Sequence, residues 1–457
     1  MDMYRAIVED LKAWKIDEKR KPLMLQGARQ VGKTFLVKKF AEEHYQNFIY
    51  VNFEQDPGLH VFFEGKLDPH EILEKLGLYL RKNISPESSL IFFDEIQAMP
   101  KAITSLKYFF EEAPEYHLIA AGSLLGVSVG RDVSFPVGKV SFLTLFPMSF
   151  YEYLLAAGEG ALVEHVQKLK PEDSFESVFH DRLIDHLKRY FFLGGMPEVV
   201  AHYLEFQDVR RVRKQQKDIL AAYRRDFKKY ASRSQAIKNT EVWDTIPRQL
   251  SRENKKFKYN EVKANGRASM YDQSLDWLAS AGLVHRAYLV ERPMLPLSGY
   301  ADFSKFKVYL HDVGLLGALL GATSKTFVTP GKAFQEYNGA FVENFIAQEL
   351  RAYGAEDLYY WTSRHEAEVD FLLQVGEDVL PVEVKSGLNR NVKSLRSYEE
   401  KYHPKHLVRM SPRNFIRSEN FSNLPLYAAF LLKGRLDQLV KENPDAKAAP
   451  GLVFVNR

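Results

Sequence analysis

The chain has 457 residues, 46% of them hydrophobic and 27% charged, with a formal net charge of +4. That balance is ordinary for a globular protein, and the length predicts about three domains. The charge surplus is too small to argue for nucleic acid globally, so local clusters must carry that argument. There is no cysteine, which excludes disulfides and thiolate zinc sites. No apolar run approaches the roughly 18 residues that span a bilayer. Met1-Asp2-Met3-Tyr4-Arg5 lacks the apolar core of a signal peptide. A cytoplasmic protein with no membrane partner is the expectation.

Residues 4–20 have amphipathic helical spacing. Pro22–Leu25 reads as a short buried strand, and Thr34–His44 as a helix with Phe35, Leu36, Val37, Phe40 and Ala41 at its apolar positions. Between them Gly27-Ala28-Arg29-Gln30-Val31-Gly32-Lys33-Thr34 fits G-x-x-x-x-G-K-[ST]. Glycines let such a loop curl until its N–H groups face phosphate oxygens, and the helix that follows adds its positive end. Lys33 is placed for the β- and γ-phosphates of ATP and the Thr34 hydroxyl for Mg2+.

Phe48–Phe53 is a β-branched and aromatic run, and residues 70–82 have helical spacing. Ser89-Leu90-Ile91-Phe92-Phe93-Asp94-Glu95 is a buried strand ending in two carboxylates, the Walker B pattern. Asp94 is expected to hold Mg2+ through water, and Glu95 to polarise the attacking water. Lys101–Glu112 reads as a helix and His117–Ala121 as a strand that runs into Gly122-Ser123.

Gly27–Thr34, Phe92-Phe93-Asp94-Glu95, Ala121-Gly122-Ser123, Phe135-Pro136-Val137-Gly138-Lys139 and Leu145-Phe146-Pro147-Met148-Ser149-Phe150 together resemble a family of prokaryotic AAA+-type, archaeal-ATPase-like P-loop ATPases. Its members carry a C-terminal nuclease-like domain of unknown function. The resemblance covers nearly the whole chain. It implies an α/β P-loop domain with a parallel sheet, homo-oligomeric assembly, and Ser123 as the sensor-1 residue, where a lone serine also reads as a turn or cap. At the position of Lys139 the family often has arginine, a candidate finger for a neighbouring subunit's nucleotide. Lysine brings charge without the planar fork.

Tyr190-Phe191-Phe192-Leu193-Gly194-Gly195-Met196-Pro197-Glu198 contains a Gly-Gly-x-Pro segment shared with the family, read either as the opening of a helical lid or as a purely structural turn. Arg210, Arg211, Arg213, Lys214, Lys217, Arg224, Arg225, Lys228, Lys229 and Arg233 crowd a helical stretch. They fit a phosphate backbone, a solvated face or an acidic subunit surface. Residues 241–320 resemble a winged helix, with Phe257–Val262 opening the motif and Asn265-Gly266-Arg267-Ala268 as the turn. Ser269 would be the N-cap and Ser269–Ala281 the recognition helix, showing Tyr271, Asp272 and Gln273 outward; Tyr288–Tyr309 would be the wing. Such a module either docks on DNA or serves assembly.

Glu343 lies in a helical stretch, Asp370 in the strand Glu368–Leu373, and Glu383 and Lys385 in Leu380–Gly387. This is Glu…Asp…Glu-x-Lys, the pattern of the PD-(D/E)XK nuclease fold. Glu383 and Lys385, two apart, share one strand face. Asp370 and Glu383 would ligate Mg2+, Lys385 would orient water, and Glu343 would add a carboxylate.

The expected division is an AAA+ P-loop core over 1–155, a helical lid and basic stretch over 156–240, a winged helix over 241–325, a restriction-nuclease-like α/β domain over 326–435, and a tail over 436–457. The expected function is that of an ATP- and Mg2+-dependent, DNA-associated ATPase with a metal-dependent nuclease site, in genome maintenance or defence. The alternative is a non-nucleolytic switch or scaffold that remodels a protein partner.

Overall fold

Apolar strands alternating with amphipathic helices form a five-stranded parallel sheet whose strands lie in the spatial order 47–52, 89–94, 117–121, 23–26 and 141–144. The computed structural model describes residues 3–122, 136, 138–169, 175–252, 255–323, 332–363, 367–388, 392–418 and 420–432. Ser123, Phe135, Val137 and the tail 436–457 lie outside the described residues. The chain forms two compact units: an N-terminal one of Tyr4–Phe146 with Ser280–Leu283, and a C-terminal one that takes in Pro147–Ala279 and the described part of Val284–Arg457.

In the N-terminal unit, α1 (Val8–Ile16) precedes β1 (Leu23–Gln26), α2 (Lys33–His44) and β2 (Asn47–Asn52). Next come α3 (Pro69–Leu80), β3 (Ser89–Asp94), α4 (Pro100–Glu112), β4 (His117–Ala121) and β5 (Ser141–Thr144). Every residue of β3 and β4 is buried, as expected of strands covered on both faces. Met24, Ile49, Val51, Ile91 and Phe93 pack with Leu76, Ile103, Leu106 and Phe109 in one cluster. Leu36, Val37, Phe40 and Ala41 are the buried apolar side chains of α2, while Phe35, expected inward, is exposed. It lies one residue before Leu36, about 100° round the helix from the buried stripe.

The C-terminal unit opens with α5 (Phe150–Ala156), α6 (Gly160–Lys168), α7 (Ser177–Leu193), α8 (Pro197–Phe206), α9 (Val209–Tyr230) and α10 (Arg233–Leu250). Helix α5, at the end of the expected 1–155 core, packs within this unit. Its Phe150 N–H donates 2.9 Å to the fully buried Glu349 carboxylate, and its ring meets Tyr190 and Phe345 edge-on. Burial pushes the Glu349 carboxyl up to about 8, opposed by hydrogen bonds from Tyr353 and Phe150. The folded chain thus holds a proton that an unfolded glutamate releases near pH 4.3. Stability falls as pH rises from there to about 8, then levels off. Glu349→Gln, neutral with an acceptor oxygen kept, removes that penalty. Its melting temperature is expected to exceed the wild type's by a margin that widens between pH 6 and 9, worth on the order of a few kcal/mol at the alkaline end. Parallel melting curves across that range would overturn this.

After α10 come α11 (Ala268–Ser280), β6 (Val284–Val290), β7 (Ala301–Leu310), α12 (Val313–Leu319) and α13 (Lys332–Ala352). The chain continues through β8 (Leu358–Thr362), β9 (Glu368–Val375), β10 (Asp378–Val384), α14 (Lys393–Tyr402), β11 (Leu407–Ser411), β12 (Ile416–Arg417) and β13 (Phe421–Pro425). The strands form one mixed sheet in the order β12-β13-β11-β10-β9-β8-β6-β7. The expected wing is β6–β7, and β6 continues into the C-terminal strands by parallel pairing with β8, Ala287 opposite Leu358. The expected boundary between 325 and 326 thus divides residues that share a sheet.

Two details of the expected recognition helix change. Helix α11 begins at Ala268, which puts Ser269 inside the first turn. Tyr271 is buried, its hydroxyl donating 2.7 Å to Glu241. The outward positions include Asp272 and Asp276, engaged by Tyr259 and Arg286, so this face carries acids where a phosphate backbone needs cations.

The Gly-Gly-x-Pro segment is a packing joint within the C-terminal unit. Gly194, at φ +72°, ends α7, and a Cβ there would lie 2.2 Å from Asp312 Oδ1. A Cβ on Gly195 would lie 2.0 Å from the Met148 carbonyl oxygen. Asp312 accepts from Gly195 N–H at 2.6 Å and caps α12 by accepting from Leu315 N–H at 2.8 Å.

Candidate active site

Gly27 turns at φ +139°, where a Cβ would stand 2.2 Å from the Leu145 carbonyl oxygen, and Gly32 at φ +95° starts α2. Both positions need glycine, which is why the loop curls back over the end of β1. Ala28 and Val31 pack inward, while Arg29 and Gln30 face solvent. The Arg5 guanidinium, itself buried, ties the loop down by donating to Val31 O at 3.0 Å and Phe146 O at 2.6 Å.

Lys33 is buried, and its ammonium donates to Gly27 O and Ala28 O, both at 2.8 Å. Burial lowers its pKa to about 8, against the pull of Glu95 and Asp94. Incoming phosphate would favour the charged form and offer a better acceptor than a carbonyl. Thr34 Oγ1 donates 2.9 Å to Asp94 Oδ2, so the loop and the end of β3 already touch. Tyr50 OH donates to the same oxygen at 3.1 Å, and Asn52 donates to Tyr50 OH at 3.2 Å.

Glu95 is held at φ +52° in the turn just past β3. Gln97 Nε2 donates 2.5 Å to Glu95 Oε2. Burial raises the Glu95 pKa, with the Asp94 charge adding to it and the Gln97 bond opposing. A carboxylate shifted upward near buried phosphate-binding groups suits a base that positions water. Thr34 and Asp94 offer hard oxygens at the mouth of the loop, the donor set Mg2+ takes beside phosphates. The residues present therefore fit an ATP·Mg2+ complex.

Lys139 is not at this constellation: its ammonium pairs with Glu111 at 3.0 Å and lies over the Phe110 ring. Ser123 lies outside the described residues. Arg5, Tyr50 and Asn52 escape motif reading because each reaches the site through the fold, and Gln97, two residues past Glu95, because the motif has no position for it.

In the C-terminal unit the four expected residues come from α13 (Glu343), β9 (Asp370), the end of β10 (Glu383) and the residue past it (Lys385). Asp370 Oδ2 accepts from Val384 N–H at 2.7 Å, and Lys385 pairs with Glu383 at 2.9 Å. A fifth residue enters. Lys307 of β7, 1% exposed, places its ammonium against Glu368, 3.5 Å from Glu343 and 3.7 Å from Asp370. Lys255 pairs with Glu343 as well. Against burial, Lys255 and Lys307 hold the Glu343 carboxyl low; burial and then Glu343 push Asp370 up. Among the described residues no group of three or more His, Asp or Glu is placed to hold a metal ion. Each of the two carboxylates expected to ligate Mg2+ stands beside an ammonium instead, Asp370 near Lys307 and Glu383 paired with Lys385.

Three family models match segments of the chain. Residues 19–154 match one described as AAA domain, residues 184–326 a domain of unknown function (DUF8612), and residues 338–429 another (DUF4143). A Walker-type ATPase of Pyrococcus abyssi shares 14% identity at TM-score 0.44, covering 70% of this chain and 96% of that one. The Holliday junction branch migration motor RuvB of Thermotoga maritima shares 17% at TM-score 0.29, covering 64% and 90%. The ORC1 protein of Aeropyrum pernix, solved in complex with DNA, shares 14% at TM-score 0.24, covering 69% and 90%. A search of curated proteins finds no match. With its P-loop, parallel sheet and AAA domain match, the N-terminal unit is a P-loop domain of the AAA+ ATPase type.

Proposed function

We propose that the protein is an Mg2+-dependent ATPase that engages DNA through helix α9. The observation that carries the ATPase reading is the Thr34–Asp94 hydrogen bond, with Lys33 and Glu95 beside it. Thr34 and Asp94 would hold Mg2+, which when bound neutralises charge between phosphate oxygens. Lys33 exchanges two carbonyls for phosphate oxygens. Glu95, once free of Gln97, orients the attacking water.

The DNA reading rests on which cations of α9 face outward. Arg210, Lys214, Lys217, Arg225 and Lys228 are exposed or nearly so, follow helical spacing along one stripe, and make no ion pair among the described residues. From first to last they extend about 27 Å at 1.5 Å per residue. Arg213 does not belong to that stripe: it donates to Gln216, Gly314 O and Ala322 O and stacks on Phe192. Arg224 is paired with Asp244.

Replacing Arg210, Lys214, Lys217 and Arg225 with glutamine is expected to weaken duplex binding in anisotropy titrations. It should also flatten the salt dependence by about 0.9 log unit for each phosphate that is no longer neutralised. Arg213→Gln should instead lower the melting temperature. Wild-type affinity and salt slope in the fourfold variant would make α9 a solvated or subunit-facing surface. The second reading, an ATP-driven switch acting on a protein partner without cutting, is favoured by the lysines paired to Glu343, Asp370 and Glu383.

A further inference from the structure

Lys307 sits in the run Phe306-Lys307-Val308-Tyr309-Leu310, where every neighbour is buried. A lysine almost never occupies such a position unless its charge is matched. Here it is matched from two directions. Glu343 approaches from α13, and Asp370 and Glu368 from β9. The Tyr360 ring lies 5.0 Å from the ammonium, and Tyr309 OH donates 3.2 Å to Glu343 Oε2. The ammonium thus stands among three carboxylates, those of Glu343, Glu368 and Asp370.

A hard divalent ion and a buried ammonium answer the same need, compensation of buried carboxylates, and their mutual repulsion prevents both from meeting it at one place. The other half of the motif is also matched: Glu383 Oε1 takes Lys385. Glu383 Oε2 is buried without a hydrogen-bond partner, and one such oxygen beside an ammonium is not the several-oxygen set a divalent ion requires.

We infer that Lys307 is a tethered cation that takes the place of a divalent ion in the Glu343–Asp370 cluster, so that the C-terminal unit carries its carboxylates compensated and without a resident metal. The cluster then serves the sheet as an internal salt network joining β7, β9 and α13. Removing the ammonium leaves Asp370 and Glu368 without their cation while Glu343 keeps Lys255, and two facing carboxylates stripped of their cation are what draws in a divalent ion. This inference is independent of ATP turnover in the N-terminal unit, and its failure would leave that reading intact.

The test is Mn2+ binding to the full-length, nucleotide-free protein, followed by the electron paramagnetic resonance signal of free Mn2+. Wild type and Asp370→Asn are expected to titrate alike. Lys307→Met is expected to gain one saturable site, at least about tenfold tighter than anything in wild type. The double variant Lys307→Met/Asp370→Asn should lose it again. In thermal scans Mn2+ should raise the melting temperature of Lys307→Met and leave the wild type's unchanged. A wild-type Mn2+ site abolished by Asp370→Asn overturns the inference. So does a folded Lys307→Met that gains no site. If Lys307→Met fails to fold, the comparison of wild type with Asp370→Asn still decides.

Discussion

Lys33→Ala protein is expected to show no ATP binding in a calorimetric titration, whereas Glu95→Gln is expected to bind ATP as the wild type does and to turn it over at least about 10²-fold more slowly. The two outcomes differ because the two side chains act at different stages. The Lys33 ammonium is buried within the loop, where it is already desolvated and pinned by two carbonyls. Alanine there leaves a cavity lined by carbonyl oxygens, which repel phosphate. Glu95 instead lies past the end of β3, held by Gln97. Glutamine keeps its size and hydrogen bonding but cannot accept a proton from water. Wild-type protein without measurable ATP affinity would end the ATPase reading. A Glu95→Gln enzyme at full speed would end only the assignment of the base.

Gly195→Ala is expected to lower the melting temperature of the C-terminal unit by about 10 °C or more, or to prevent its folding. The Cβ would fall 2.0 Å from the Met148 carbonyl oxygen and 2.9 Å from the Met148 nitrogen and carbonyl carbon. No rotamer relieves a collision with backbone. That backbone is fixed from both sides, since Met148 N–H donates 2.6 Å to Gly195 O and Tyr190 OH donates to Met148 O. Gly195 N–H is committed to Asp312 at 2.6 Å. Shifting this stretch of chain to make room therefore breaks hydrogen bonds in a buried place, where each costs on the order of 1–3 kcal/mol. Differential scanning calorimetry reads the effect, and an unchanged melt would show that the segments separate without cost.

The nucleotide loop is legible in sequence because its chemistry is local. Eight consecutive residues supply the curl, the ammonium and the hydroxyl, and the strand that ends in Asp94 and Glu95 is a continuous apolar run. Arg5 and Tyr50 are not legible, since nothing near them in sequence says that they meet Val31 and Asp94. The winged-helix reading shows the limit from the other side. An antiparallel pair after a helix has the same local pattern whether it is a free wing or the edge of a larger sheet, and only the Ala287–Leu358 pairing separates the two. Lys307 leaves little signal, because it follows Lys305 at strand spacing and so reads as one more residue of a solvated face. The Glu…Asp…Glu-x-Lys pattern has no position for it, because it comes from a strand that precedes all four motif residues.

The sheet that runs from β7 through β12 has a bearing on how this chain can be inherited and cut. The two matched segments, 184–326 and 338–429, divide between β6 and β8, which are hydrogen-bonded neighbours. Severed there, each piece would bare a strand edge in mid-sheet, the kind of surface that recruits other chains into aggregates. The second piece would also leave Asp370 and Glu343 behind without Lys307. Gene fusion or fission between these segments therefore carries a penalty that a linker between true modules would not. The pair is expected to travel through evolution as one block, with length variation accumulating in the connections outside the ladder.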